Sequence, residues 1–321
     1  MSDPQRATSA SAKRLISIVS PAYNEEGNID ELARRLKLVF ADLPSYDFEV
    51  ILVENGSADG TWQRIRAVGD ADSRFKFVRL SRNFTADGGV SAGLAYASGE
   101  AAVIMCADLQ DPPELIPAFV DRWEQGYENV YQVITRREGT NALRRMNSRL
   151  FYWLINRLTD GAFPKNVSDY RLVDRRVYQV INDMHERNRF MRGMFFWSGF
   201  RSIGVEHERP PRFSGESKAS TRLVVRMAAS SILSYSYFPM RLITYVGLGV
   251  SFMAFLLLLL EVVRILLYGV PFAGFGTLMA AMLVMFSFLF TMLGVVAEYI
   301  GLIYEEVKQR PNFIVKDTLG L

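Results

Sequence analysis

The chain has 321 residues, with 37 Lys and Arg against 34 Asp and Glu, and this net charge of +3 argues against a nucleic-acid binder driven by bulk charge. One cysteine, Cys106, excludes an intramolecular disulfide and any multi-cysteine zinc or iron–sulfur centre, and only His185 and His207 could serve as imidazole ligands. Apolar residues make up half of the chain, but their excess lies after Leu242 and most charges lie before Arg241, so a soluble domain followed by a membrane part is expected.

Residues 1–14 are polar and read as a disordered tail, and the apolar run from Leu15 to Val19 is too short for a signal-peptide core, which places the following domain, residues 15–215, in the cytoplasm. Between Leu15 and Arg137 five β-rich runs, LISIVSPAY, FEVILVEN, FKFVRLSRN, AAVIMCADL and NVYQVITRR, alternate with more polar, helix-like stretches. That alternation predicts an α/β domain with a parallel sheet and helices on both faces. Ligands of such sheets bind beyond the carboxyl ends of the strands, where SPAYNEEGN, ENGSADGT, SRNF and CADLQDPPE fall. No dinucleotide or P-loop fingerprint is present. Gly88, Gly89 and Gly93 fall within a helix-like stretch and read as close-packing positions.

After Arg137 the pattern becomes helical and basic. Arg144, Arg145 and Arg149 alternate with Leu143, Leu150, Phe151 and Leu154, as in an amphipathic helix at a membrane surface or a solvated basic face on a core helix. The aromatic run Phe195, Phe196 and Trp197 reads as core or interfacial anchoring, and the two histidines as surface or structural. Residues 216–240 form a juxtamembrane segment whose basic residues, Arg222 and Arg226 among them, attract anionic head groups. Two charge-free runs follow, Leu242 to Leu260 and Phe272 to Ala297, divided by a turn near Tyr268 to Pro271. The first, about 19 residues, roughly spans a hydrocarbon core of about 30 Å. A two-helix hairpin over 241–304 is therefore expected, with a C-terminal tail over 305–321. Arg241 before it and Lys308 and Arg310 after it put both ends on the cytoplasmic side. Glu261 and Arg264 read as interfacial and mutually paired, and Gly247 with Ser251 as a packing pair within the chain.

The chemistry concentrates at the strand ends. In CADLQDPPE, Asp108 and Gln110 offer oxygen ligands of the kind that suit Mg²⁺ or Mn²⁺, an ion held by one or two carboxylates plus the phosphates of a nucleotide diphosphate. Asp111 reads as the N-cap of the following helix. Pro21, Tyr23, Asn24 and Glu25 lie at one strand-to-helix junction and Glu54 and Asn55 at the next, where acids and amides can hold a ribose or base and Tyr23 can stack on it. Turn chemistry alone would also place Asn, Ser, Asp and Gly there.

In this order, SPAYNEEGN, ENGSADGT, SRNF, CADLQDPPE, SDYRLVDRR, RFSGESKAS and EYIGLIYEEVKQRPNFIV resemble the polyprenyl-phosphate glycosyltransferases of glycosyltransferase family 2, which include the dolichyl-phosphate mannose synthases and the bactoprenol glucosyltransferases. The resemblance runs from about Leu15 to Val315. It implies a GT-A, Rossmann-like catalytic domain, juxtamembrane helices and the hairpin. The implied activity is inverting transfer of a hexose, in the first place glucose from UDP-glucose, to undecaprenyl phosphate in the inner membrane, for cell-envelope glycan modification. Other donors, GDP-mannose or a UDP-aminopentose, and a catalytically silent nucleotide-sugar binder are the alternatives. By the same resemblance Asp108 and Gln110 contact metal and diphosphate, Asp169 is the catalytic aspartate, Ser217 and Lys218 lie in a loop that closes over substrates, and Arg136, Arg145 and Ser148, with Arg137 and Arg149 as register alternatives, contact the acceptor phosphate. The resemblance also implies a homo-oligomer, a tetramer.

Two positions depart from the family pattern. Cys106 stands where the first acid of D-x-D-x-Q is usual, either a soft and poor magnesium ligand or a strand cysteine without a role. ENGS replaces the usual D-D-G-S. Asp169 could take a proton from the acceptor or orient it through Arg171.

Overall fold

The computed structural model describes residues 13–137, 166–209, 238–269 and 274–321. They fall into two units: one holds the sheet and includes the C-terminal segment Pro311–Leu321, and the other is built on two long helices.

The first unit begins β1 (Arg14–Ala22), α1 (Ile29–Asp42), β2 (Tyr46–Glu54), α2 (Thr61–Ala71), β3 (Phe75–Leu80), α3 (Thr85–Tyr96) and β4 (Ala101–Ile104). After a 3₁₀ turn at Pro113–Leu115 come α4 (Ile116–Glu124), β5 (Asn129–Arg137), β6 (Val167–Asp174), α5 (Arg175–Asp183), α6 (Met191–Trp197) and β7 (Ser202–Arg209). The eight-stranded sheet has the order β7-β5-β6-β4-β1-β2-β3-β8, where β8 is Val315–Leu319. The expected parallel sheet holds for β4-β1-β2-β3. It fails beyond β4: β5 does not neighbour β4, because β6 inserts between them antiparallel to both. The apolar pattern of β5 records burial, not which neighbour covers it.

The central strands bury both faces, and their alternation divides the core. Val50 and Leu52 of β2 pack with Ile29, Leu36 and Phe119 on one side, while Ile51 and Val53 pack with Val78, Phe84 and Ala92 on the other. Helix α3 lies so close to the sheet that a Cβ on Gly93 would come within 2.2 Å of Val19 Cγ1 and one on Gly89 within 2.8 Å of Pro21, which is the close packing these glycines predict.

The C-terminal segment is not a tail. Val315–Leu319 pairs antiparallel with β3, Phe77 opposite Leu319 and Arg79 opposite Asp317, and Ser81 N–H donates to Ile314 O at 2.9 Å. Phe313 and Val315 pack against the same cluster as Phe84. Covering the β3 edge removes a row of unpaired backbone groups.

The second unit contains α7 (Phe238–Tyr268) and α8 (Phe275–Val307). Within them Leu242–Tyr268 and Ala281–Val307 are long and apolar enough to cross a membrane, with mean hydropathies of 2.5 and 2.0 and none of their most apolar stretch buried. A soluble core helix would hide such a surface. A Cβ on Gly247 would lie 3.1 Å from Met292 Cε, so the small residue of α7 faces α8 and serves packing within the chain, as its spacing predicts.

Candidate active site

The carboxyl ends of β1, β2, β3 and β4 meet the amino end of the antiparallel β6 at one edge of the sheet, because Ile104 pairs with Arg171. Three turns that follow these carboxyl ends hold non-glycine residues in the left-handed region, Asn24 (φ 52°) after β1, Thr85 (φ 68°) after β3 and Leu109 (φ 59°) after β4, and Asn166 (φ 59°) does the same just before β6. For Thr85 this is costly, because its branched side chain crowds the backbone. Neighbours hold it in place. Asn55 Nδ2 donates to Thr85 O at 2.6 Å, Asn55 Oδ1 accepts from Phe84 N–H at 2.9 Å, and Asn83 Oδ1 accepts from Thr85 N–H at 2.7 Å. Asn55 is thus a clasp between the β2 and β3 ends, a role that an acid, having no N–H to donate, could not fill.

Glu54, also buried, accepts from Ser57 N–H and pairs with Arg79 Nε at 3.3 Å. Asn24 Oδ1 accepts from Ala58 N–H at 2.8 Å, while Asn24 and Glu25 N–H donate to Ser57 and Thr61 hydroxyls. The two clusters SPAYNEEGN and ENGSADGT therefore form one continuous rim. Pro21, at the end of β1, and half-buried Tyr23 stand on it.

After β4, Asp108 is buried and its Oδ1 accepts from Gln110 N–H at 3.1 Å, closing the turn over Leu109. Asp111 does not cap a helix. Pro112 precedes the 3₁₀ turn and Leu115 precedes α4, while Asp111 Oδ2 accepts from Cys106 N–H at 3.1 Å. The double proline turns the chain before the helix starts, so the carboxylate folds back on its own loop. Among the described residues no three acidic, His or Cys side chains converge as a metal cage. One carboxylate with one amide oxygen, Asp108 and Gln110, is a donor set that fits a hard ion carried chiefly by a ligand's phosphates.

Asp169 stands at the start of β6 with an exposed carboxylate, and Arg192 of α6 donates to both its oxygens, Nε to Oδ1 at 2.9 Å and Nη2 to Oδ2 at 2.7 Å. Arg171 does not hold this carboxylate: it is buried, with Nε donating to the Asp169 backbone carbonyl and its guanidinium 4.5 Å from the centre of the Phe195 ring. Burial pushes its pKa down to about 10, against the opposing pull of Asp169. Asp169, Arg171 and Arg192 line a small cavity together with Asp87, from the first turn of α3, and Cys106. Burial, then the nearby charge of Asp169, pushes Asp87 up to about 7; Arg192 and the Met191 N–H oppose that shift.

Neither Asp87 nor Arg192 is marked by the motifs. Asp87 follows SRNF by three residues, and a carboxylate in a helix's first turn ordinarily reads as a partner of the helix dipole. Arg192 lies in a segment that carries no strand-end signal. The aromatic run divides as its two readings allow: Phe195 is core, Phe196 packs edge-on against Tyr131 at 5.0 Å, and Trp197 is exposed. His185 is exposed and His207 half-buried on β7. Arg136 belongs to β5, its side chain outside the described set, and Arg145, Ser148 and Lys218 lie outside the described residues.

Residues 17–197, from β1 through α6 and so the whole of this crevice, match the family model described as "Glycosyl transferase family 2". The chain belongs to glycosyltransferase family 2. This glycosyltransferase is 39% identical over 306 residues to an uncharacterised glycosyltransferase of Synechocystis sp., covering 95% of this chain and 96% of the relative. It is 35% identical over 303 residues to the bactoprenol glucosyl transferase of Shigella phage SfII, covering 94% and 98%. Both alignments extend well past the family match, into the long helices. Among solved structures it is similar to glucosyl-3-phosphoglycerate synthase from Mycobacterium tuberculosis, with a TM-score of 0.50, 18% identity, and coverage of 68% of this chain and 76% of that one. The fold of this glycosyltransferase is of the GT-A type.

Proposed function

We propose that this glycosyltransferase moves glucose from UDP-glucose to the phosphate of undecaprenyl phosphate, with inversion, at the cytoplasmic face of the inner membrane. The observation that carries the reading is the near full-length similarity to a bactoprenol glucosyl transferase, which takes in both the strand-end crevice and the two apolar helices. Arg241, Lys308 and Arg310 flank those helices and favour cytoplasmic ends.

In this reading the rim formed by Tyr23, Asn24, Glu25 and the Glu54–Asn55 turn receives the nucleoside. Asp108 and Gln110 would hold Mg²⁺ or Mn²⁺ together with the donor diphosphate, and when bound the ion supplies charge stabilisation to the departing nucleoside diphosphate. The solved neighbour is a complex with Mn²⁺ and uridine diphosphate. A phosphate monoester has a second pKa near 6, so at neutral pH the acceptor is mostly a dianion and needs no strong base. Arg192 holds the Asp169 carboxylate in one plane, from which it orients the attacking oxygen or takes the remaining proton of a monoanion. A single in-line displacement inverts the anomeric centre and needs no carboxylate nucleophile. Arg136, Arg145, Ser148 and Lys218 would hold the lipid phosphate.

The test is transfer from radiolabelled UDP- and GDP-sugars to undecaprenyl phosphate in detergent, with Mg²⁺, with Mn²⁺ and with chelator. Lipid-linked product from UDP-glucose, lost with chelator and lost in Asp108→Ala, is the expected result. Product from another donor alone would replace the sugar, and full activity of Asp108→Ala would remove the metal assignment.

A further inference from the structure

Arg192 fixes the Asp169 carboxylate, so whatever sets the first turn of α6 sets Asp169 as well. That helix has seven residues, and its N-cap, Phe190, offers no side-chain hydrogen bond, so its first N–H groups depend on partners from elsewhere in the fold. Helix α3 supplies them. Buried Ser91 Oγ accepts from Arg189 Nη1 at 3.0 Å and lies 3.6 Å from Met191 Sδ. Arg189 Nη2 donates to the carbonyls of Ile181 and Met184, which ties the loop between α5 and α6 to the end of α5. Asp87 stands one turn before Ser91, whose hydroxyl donates to the Asp87 carbonyl at 2.7 Å. The half-buried Asp87 side chain borders the small cavity together with Met191, Arg192 and Asp169.

A carboxylate in the first turn of a helix ordinarily answers that helix's own dipole. Asp87 faces another helix. Apart from burial and the repulsion of Asp169, the groups that act on it most are Arg192, the Met191 N–H and Arg189, all at the entry to α6. The carboxylate therefore serves α6 as a cap and a counter-charge, beside the Asp169–Arg192 pair. Asp87 and Asp169 repel, and Arg192 attracts both. An amide in place of the Asp87 carboxylate would relieve the repulsion but give up the charge that draws Arg192 and Arg189. We propose that Asp87 is a positioning residue for the transfer step: through Met191 N–H and Arg192 it holds the first turn of α6 against α3, and so holds the Asp169 carboxylate in the plane from which it acts. The inference rests on the role given to Asp169 above.

The experiment is single-turnover transfer from UDP-glucose to undecaprenyl phosphate by the full chain in detergent with Mn²⁺, for the wild type, Asp87→Asn, Asp87→Glu and Asp169→Asn. Binding of UDP and UDP-glucose and unfolding midpoints are measured alongside. Asp87→Asn is expected to slow turnover about tenfold at pH 8 while binding both nucleotides within about twofold of wild type and unfolding at no lower temperature. Asp87→Glu, which restores the charge and has the adjoining cavity of about 40 Å³ for its extra methylene, should recover turnover to within about threefold. The other charged or titratable groups around Asp87, namely Asp169 and Arg171 of β6, Arg189, Arg192 and Cys106, are common to wild type and Asp87→Asn, so the ratio of their rates isolates Asp87. That ratio should approach one well below pH 7 and grow as pH rises through about 7. Unchanged turnover of Asp87→Asn beside a slow Asp169→Asn would overturn the inference and leave the role of Asp169 standing, whereas full turnover of Asp169→Asn would remove that role and the inference with it. A selective loss of UDP-glucose binding would make Asp87 a donor contact instead, and a loss of turnover that tracks a lower unfolding midpoint would make it merely structural. Where the wild type transfers nothing, the double-mutant cycle of Asp87→Asn with Arg192→Gln on the unfolding midpoint at pH 8 decides: a coupling of about 2–4 °C upholds the contact with α6, and additive shifts overturn it.

Discussion

The two ends of the central strands show opposite treatments of polar groups. Toward the amino ends, buried Glu49 of β2 accepts from Ser17 Oγ at 2.6 Å, Lys76 Nζ at 2.8 Å and both Ser98 N–H and Oγ at 2.8 Å, and Ser17 Oγ in turn accepts from Gly99 N–H. Burial alone would raise the Glu49 pKa, yet these bonds outweigh it and hold the carboxyl below its ordinary value. Toward the carboxyl ends, the same sheet carries three strained turns, a carboxyl pushed up to about 7 and a guanidinium nitrogen with no partner among the described residues. One end is closed on itself and contributes stability. The other spends its hydrogen bonds on holding turns in costly conformations and leaves Arg171 Nη1 without one among the described residues, which contributes less to stability.

Asp169→Asn should break the contrast most sharply, lowering turnover about 10³-fold with nucleotide binding within twofold, measured by single-turnover transfer at saturating donor. Loss of donor binding in parallel would move Asp169 out of the reaction. At the closed end, Glu49→Ala strands Lys76 and two serine hydroxyls and should cost about 3 kcal/mol of stability, read from denaturant unfolding, with specific activity of the folded fraction retained. The Glu49 contribution is fully present above about pH 4.5 and is lost as pH falls through its depressed value, so the wild-type advantage over Glu49→Gln should shrink in acid.

Asn55→Ala leaves Phe84 N–H and Thr85 O without their partner and should cost about 2 kcal/mol; Asn55→Asp should do nearly as badly, because a carboxylate has no N–H for Thr85 O. For Asp87 the sign reverses. Its folded pKa lies above its ordinary 3.8, so the folded state binds the extra proton and stability falls as pH rises between that value and about 7. Asp87→Asn should therefore stabilise the protein at pH 8 by on the order of 1 kcal/mol, after allowance for solvent at the cavity mouth, with the gain gone near pH 4. Thr85→Gly, which relieves the left-handed strain but loosens the unfolded chain, should gain at most about 0.5–1 kcal/mol in the same measurement.

Much of the candidate site is local in the chain, and so is legible as a set of strand-end turns. Pro21 to Glu25, Glu54 with Asn55, and Asp108 with Gln110 each sit where a β-rich run meets a turn, and a parallel α/β sheet brings such junctions to one edge whatever the order of its strands. The cavity is another matter. Asp87 sits one helical turn past SRNF, Arg192 belongs to a helix more than a hundred residues later, and only the antiparallel insertion of β6 beside β4 brings Asp169 up to both. Arg171 is nearer to Asp169 in sequence and, two residues on along β6, points to the same side of the strand, yet what covers each differs: α6 packs Phe195 over the buried Arg171, while Asp169 at the strand's start stays exposed.

From composition and periodicity alone follow the α/β unit, the two charge-free helices and the strand-end place of the candidate site, because each is a property of a contiguous stretch and its hydrophobic period. Strand order, the C-terminal segment that becomes β8, the Asn55 clasp and the pairing of Asp169 with Arg192 belong to the tertiary structure. Each joins residues far apart in the chain, and no local pattern encodes which distant partner a strand edge or a carboxylate will meet.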